Sequence, residues 1–341
     1  MTIQSAHVSS PRKSSTRSNI RLAAYGDRTR PGSALHKMLS DGSAVYAIVP
    51  AFVYVVLSEA GGKGVDDHDR VAKIANRDSV RMEDLLVRLI DSLDLVIGLA
   101  FADDEERAAI GHAIWELHRH IEGTLDDGTP YHAWNRELWS WTWAGILKPV
   151  MDSYEELRGP LAPGFLQDAY VGWLQLGDLI GVKGLPEDYA EFLRYWREHW
   201  KPVALDTGAG RFIMSQVYSP ILPGVAPWLP GPVWNTLMWP ALNLLRTSTF
   251  IVMDPEVQEL VGMKASRAQQ LSIRAHRAVW NALPARVTGQ WAGTYLRLRL
   301  RYGNTSWKRH YSAESLARYR DGVKDAKTHG DIAPDRPSKR H

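Results

Sequence analysis

Apolar positions along the chain recur at three- and four-residue intervals over long stretches, the period of an α-helix, and no run alternates convincingly as a half-buried strand would. One or two apolar helices are predicted between residues 32 and 57, then a glycine-rich loop over 59–64. Strong helical spacing follows over 82–100 and again over 104–122, the second opened by Asp103, Asp104, Glu105 and Glu106, acids that a helix amino terminus favours. Gly123 closes it, and the turn 126–130 leads past Tyr131 to a long helix over 136–158 ended by Gly159 and Pro160. Further helical patterns lie at 164–181, 187–200, 231–247, 254–262 and 266–283, separated by proline-rich breaks such as 220–232. The expected fold is therefore all-α, a single globular domain without internal repeats.

Charge divides this chain into three parts. Residues 1–31 carry six Lys/Arg against Asp27 alone, and residues 297–341 carry twelve against five acids, so a formal net charge of +3 hides an acidic middle of −9. This suggests a flexible basic leader over 1–31, a helical domain over 32–300 and a charged, disordered tail over 301–341. Basic ends of this kind can touch nucleic acid or anionic lipid, but without interleaved aromatics or a recognition helix solubilising tails are the simpler explanation. The most apolar stretch, 44–57, contains Pro50 and is shorter than the ~20 residues that span a bilayer, and the amino terminus lacks a signal-like apolar run. A cytoplasmic protein with no membrane span and no nucleic-acid partner is the expectation.

The absence of cysteine excludes disulfides, zinc-thiolate sites, iron–sulfur clusters and thiolate-ligated heme. Gly61, Gly62 and Gly64 do not complete a dinucleotide fingerprint, because position 67 is Asp, and no phosphate loop, nucleophile elbow, zincin or di-iron motif is present. What remains is unusual helix patterning. The 82–100 helix has one stripe of Leu86, Leu89, Leu93, Val96 and Ala100, and a second that sets Arg88 and Ser92 among Leu85, Leu95 and Leu99. Asp84, Asp91 and Asp94 are read as its wet face. A guanidinium in a core-facing row needs an anion, ordinarily a structural carboxylate. Of the three histidines on the next helix, His118 shares its face with Ile114, Leu117 and Ile121, whereas His112 falls near Glu116 and Arg119. A core histidine is usually satisfied by a backbone carbonyl; a neutral imidazole is also the axial iron ligand open to a cysteine-free protein.

Arg88-x-x-x-Ser92, the acidic turn at 102–106, Leu117-His-Arg-His-Ile-Glu-Gly123 and Asp127-Gly-Thr-Pro-Tyr-His-Ala133 occur in an order and spacing that resemble the catalytic domain of latex-clearing proteins and MpaB-type oxygenases. The similarity extends loosely from about residue 32 to 287. It implies an all-helical fold enclosing heme b, with His118 the proximal iron ligand and Arg88 and Ser92 near the heme. Two positions depart from the family pattern: Ser92 stands for a threonine and keeps the hydroxyl, and Trp143 stands where a histidine is common. A lysine that latex-clearing proteins place near the iron aligns with Asp91, which argues against rubber as substrate.

The tryptophans Trp139, Trp141 and Trp143 cover more than one face of their helix, with core packing the default for each and cavity lining the alternative. Tyr131 and His68 complete the candidate cofactor contacts, although Asp66 and Asp67 give the His68 segment a plainer helix-capping explanation. The resulting expectation is an oxygenase that uses O2 or peroxide at a His-ligated iron to oxidise an apolar small molecule, by cleavage of a C=C bond or a tailoring oxidation. A carrier of an apolar ligand without iron and a helical interaction protein using its basic ends are the alternatives.

Overall fold

The computed structural model describes residues 25–69, 82–203, 207–218, 222–224, 226–302 and 305. Helices α1 (Ala34–Ser40), a 3-10 turn (Gly42–Ala47) and α2 (Ile48–Val56) form the apolar opening of the chain. Then come α3 (Glu59–His68), α4 (Met82–Phe101) and α5 (Asp104–Leu117). A hairpin of β1 (Glu122–Thr124) and β2 (Pro130–His132), paired antiparallel with Gly123 opposite Tyr131, precedes α6 (Arg136–Arg158) and α7 (Pro163–Leu179). The remainder is α8 (Tyr189–Val203), α9 (Gly208–Tyr218), α10 (Gly231–Val252), α11 (Pro255–Leu260), α12 (Arg267–Ala282), α13 (Ala285–Thr288) and α14 (Trp291–Tyr302).

The centre is α6. Asn135 caps it by accepting from the amides of Glu137 and Leu138, and Gly159, at φ 88°, ends it in a conformation that side chains avoid. Trp139, Trp141 and Trp143 are all buried, and each indole N–H reaches a carbonyl: Ile180 at 2.9 Å, Tyr54 at 3.0 Å and Trp173 at 3.1 Å. Trp173 returns the bond to the Trp143 carbonyl at 3.2 Å, and the two rings stack at 4.1 Å. Core packing thus accounts for all three, because a buried indole that finds an acceptor loses nothing to desolvation.

Residues 25–31, expected in the flexible leader, lie on α7. Gln175 brackets them, accepting from the Arg28 amide and donating to the Gly26 carbonyl, and a Cβ at Gly172 would meet the Arg28 carbonyl at 2.5 Å. The rest of the leader, and the tail beyond residue 305, lie outside the described residues. Asp41, 1% exposed, draws distant parts together. Its carboxylate caps the 3-10 turn and accepts from Arg158 and Thr288, and its carbonyl accepts from Trp291 at 2.7 Å.

Several sequence expectations need correction. Residues 59–64 are helical rather than a loop: Ser58 caps α3, and the glycines let it fold onto α2, a Cβ at Gly62 lying 2.8 Å from the Val56 carbonyl. The expected 104–122 helix ends at Leu117, and a short hairpin follows where no strand was foreseen. On α4 the wet face was misplaced. Asp94 is fully buried and Asp91 nearly so, whereas Leu86 is 50% exposed. The reason is α14, a helix the spacing did not reveal, which lays Arg299 and Tyr295 against Asp94 with contacts of 2.7–2.8 Å.

No single helix among the described residues is long and apolar enough to cross a membrane. The pair Ala34–Ser40 and Gly42–Val56 passes that test together, but it is bent by 72° and contributes Leu35, Met38, Val53 and Tyr54 to the core.

Candidate functional site

His118 sits just beyond the last turn of α5, where the helix stops because the chain turns toward β1. Its Nδ1 lies 2.7 Å from the Ile114 carbonyl. A carbonyl only accepts, so Nδ1 holds the proton and the lone pair of a neutral ring is on Nε2. Burial pushes the imidazole pKa down, the nearby Arg88 guanidinium pushes it further down, and the Ile114 bond opposes both. Trp139 meets the ring edge-on at 4.8 Å and fixes its plane. A neutral histidine with its second nitrogen bound to a carbonyl is the arrangement that metal-ligating histidines use to set tautomer and orientation, so the residues here fit a histidine-ligated iron. Neighbouring His112 is half-buried and His120 exposed.

Arg88 is paired as a core-facing guanidinium should be. It donates to Asp69, at the end of α3, and to Ser92 one turn along α4, and the Ser92 hydroxyl also donates to the Arg88 carbonyl at 3.2 Å. Half-buried rather than enclosed, Arg88 has a side chain 37% exposed. Tyr131 is buried on β2 and donates to Asp67 at 3.0 Å; burial and that carboxylate push its hydroxyl up to about 12. His68 is exposed, its Nε2 2.9 Å from the Glu122 carbonyl on β1.

Sequence reasoning missed how Arg88, Ser92, Tyr131 and His68 are tied together. Asp67, His68 and Asp69 are consecutive, yet each reaches a different element: Tyr131 on β2, the β1 backbone, and Arg88 on α4. The end of α3 is therefore a hub that sets the hairpin and α4 relative to each other, and the Arg88 it holds lowers the pKa of His118 by its charge. The acidic spelling of 66–69 was the available signal, and it reads equally as helix capping. The hairpin holds its place through Gly123, where a Cβ would meet Tyr131 ring atoms at 2.8–2.9 Å. Trp143, at the position of the family's frequent histidine, belongs to the stacked pair with Trp173 and faces no candidate residue.

Among the described residues, no group of three or more His, Asp or Glu is placed to hold a metal ion.

Comparison with known proteins adds a family. The model for the catalytic domain described as ER-bound oxygenase mpaB/B′/rubber oxygenase matches residues 36–282. Uncharacterised proteins of Mycobacterium tuberculosis (strain H37Rv) and Mycobacterium bovis are each 25% identical over 169 residues, 49% of this chain and 62% of the relative. The chain thus spans about three fifths of the length of the curated relatives it matches. No solved structure matches.

Proposed function

Since the chain belongs to the mpaB/rubber oxygenase catalytic-domain family, with a match over residues 36–282, we propose that it is a heme-dependent oxygenase in which His118 is the protein ligand to iron. The substrates are O2 or peroxide and an apolar small molecule, with oxidative attack on a carbon–carbon double bond the reaction class the family points to. One observation carries the reading: the Nδ1 contact of His118 with the Ile114 carbonyl, which directs the Nε2 lone pair outward from a neutral ring.

Heme iron, when bound, supplies the redox chemistry that oxygen activation requires. This chain's residues supply position and charge. His118 offers a neutral imidazole at working pH because burial and Arg88 both disfavour its protonation. Trp139 keeps the ring from rotating. Arg88, held by Asp69 and Ser92, keeps a cation near the histidine and can orient an anionic group such as a cofactor carboxylate. Tyr131 holds its proton at working pH and commits it to Asp67, so its part is to anchor the hairpin.

The test is the visible spectrum of protein produced with heme supplied. A Soret band that His118→Ala abolishes, while His112→Ala and His120→Ala leave it in place, supports the assignment. A wild-type protein without the band, or one in which His118→Ala keeps both heme content and spectrum, refutes it. An apolar-ligand carrier would give the first of those two refuting results.

A further inference from the structure

The longest uncharged run of the chain lies between Arg211 and Arg246, thirty-four residues without Asp, Glu, Lys, Arg or His. Part of it is the first half of α10, which stands clear of the body. Of residues 232–241, only Trp234 and Met238 are even half-buried, and the exposed positions cover the circumference apart from the face those two share. Trp228 is 77% exposed, Leu237 64%, Trp239 59% and Val233 44%. Arg246 fastens the base of this projection by donating to the Val217 and Tyr218 carbonyls at 3.1 and 2.6 Å. A contiguous apolar surface of this kind marks an interaction site rather than ordinary surface.

The neighbouring helix has matching character. Hydrogen bonds from Asn243 and Thr247 to Ser272 join α10 to α12, which has no buried residue. The outer face of α12 carries Leu271, Ala275, Ala278, Val279 and Ala282 in one stripe, with Arg267 and Arg274 along its edge. Leu283, Arg286 and Val287 continue it, all exposed. Between Glu259 and Glu314 the chain has ten Lys/Arg and no acid.

Charge selects the occupant. The carboxy-terminal segment 306–341 carries nine Lys/Arg against five acids and residues 1–24 carry four against none, so neither end of the chain is complementary in charge to this surface. The same face of a second copy repels it too. Exposed Trp, Leu and Val beside unpaired-in-sequence cations match an anionic lipid interface, where indoles lie at headgroup depth and basic residues meet anionic headgroups. We propose that the projection over 226–241 and the outer face of α12 form a membrane-docking surface that seats Trp228, Leu237 and Trp239 in the interface of an anionic bilayer, with Arg267 and Arg274 over the headgroups. This rests on the surface alone and stands apart from the cofactor assignment.

Full-length protein is mixed with phosphatidylcholine vesicles, with and without phosphatidylglycerol, and followed by co-sedimentation and by quenching of tryptophan emission with brominated acyl chains. Expected are binding and quenching with the anionic vesicles, a roughly tenfold or greater loss of binding in Leu237→Ser/Trp239→Ser, and weaker, less salt-sensitive binding in Arg267→Gln/Arg274→Gln. These positions are exposed, so unchanged thermal unfolding is the control for folding. No association with either vesicle overturns the proposal, as does binding that survives the Leu237→Ser/Trp239→Ser change. A wild-type dimer in light scattering that this change dissolves assigns the surface to a second copy, and equally overturns it.

Discussion

Replacing Asp94 by alanine is expected to cost about 3 kcal/mol of stability. The carboxylate is fully buried and accepts from Arg299 through both oxygens, at 2.8 and 2.7 Å, and from the Tyr295 hydroxyl at 2.8 Å. Removing one member of a buried ion pair typically costs ~3–5 kcal/mol, because the other is left desolvated without its partner. Arg299 keeps some water, its side chain being 21% exposed, which brings the expectation to ~2–4 kcal/mol, a large share of the 5–15 kcal/mol of a typical domain. Urea unfolding of the cofactor-free protein, followed by tryptophan fluorescence, measures it. Asp94→Asn keeps an acceptor for Tyr295 and should fall between wild type and alanine. In an Arg299→Met background, Asp94→Ala should cost much less, and the difference is the coupling energy. A loss below about 1 kcal/mol in Asp94→Ala, or a coupling indistinguishable from zero, would show that α14 is not braced on α4 through this pair.

Other outcomes follow from named contacts. Gly123→Ala pushes a methyl into the Tyr131 ring and should lower stability by ~1–3 kcal/mol, read as a drop in thermal midpoint; adding Tyr131→Leu, which removes the ring, should recover part of it. Trp143→Phe removes an indole bond and ring area from the reciprocal pair with Trp173 and should cost about 2–3 kcal/mol, with Trp143→Phe/Trp173→Phe less than additive in chemical denaturation. His36 has its pKa held below the ordinary 6.5 by burial and then by Arg107. Its neutral form is thus favoured on folding, so its contribution is complete above pH 6.5 and is lost as pH falls toward the folded-state value. Denaturation curves across that range should be flatter for His36→Gln than for wild type.

Where structure is decided locally, it was legible. The 136–158 helix coincides with α6 because Asn135 and Gly159, which start and stop it, sit at its own ends. The wheel that set His118 apart from His112 and His120 assumed a helix to residue 122, whereas the helix stops at Leu117 and leaves His118 as its cap. What could not be read depended on residues far away. Asp94 looked like a wet-face acid because its partner Arg299 is 205 positions distant and on a helix whose apolar spacing is interrupted by arginines. The carboxylate awaiting Arg88 was foreseen as a type, but Asp69 could not be told from a capping residue. A main-chain carbonyl was the ordinary expectation for His118, but which carbonyl, that of Ile114, leaves no trace in residue identity.

Asp41 has a consequence for how the chain is made. Its carbonyl waits for an indole 250 residues later, and its carboxylate for Thr288, 247 residues later. Contacts of such separation form late, since the loop they close must first be paid for in chain entropy. At synthesis rates of ~5–20 residues per second, the opening helices stand for ~10–50 s before their fastening exists. During that interval the apolar surfaces of α1 and α2 are sheltered by the elements already made, α6 and α7 foremost, without the fastening at Asp41. A chain stopped anywhere before Thr288 keeps a buried carboxylate short of its donors, so truncation at the far end is felt first at the beginning.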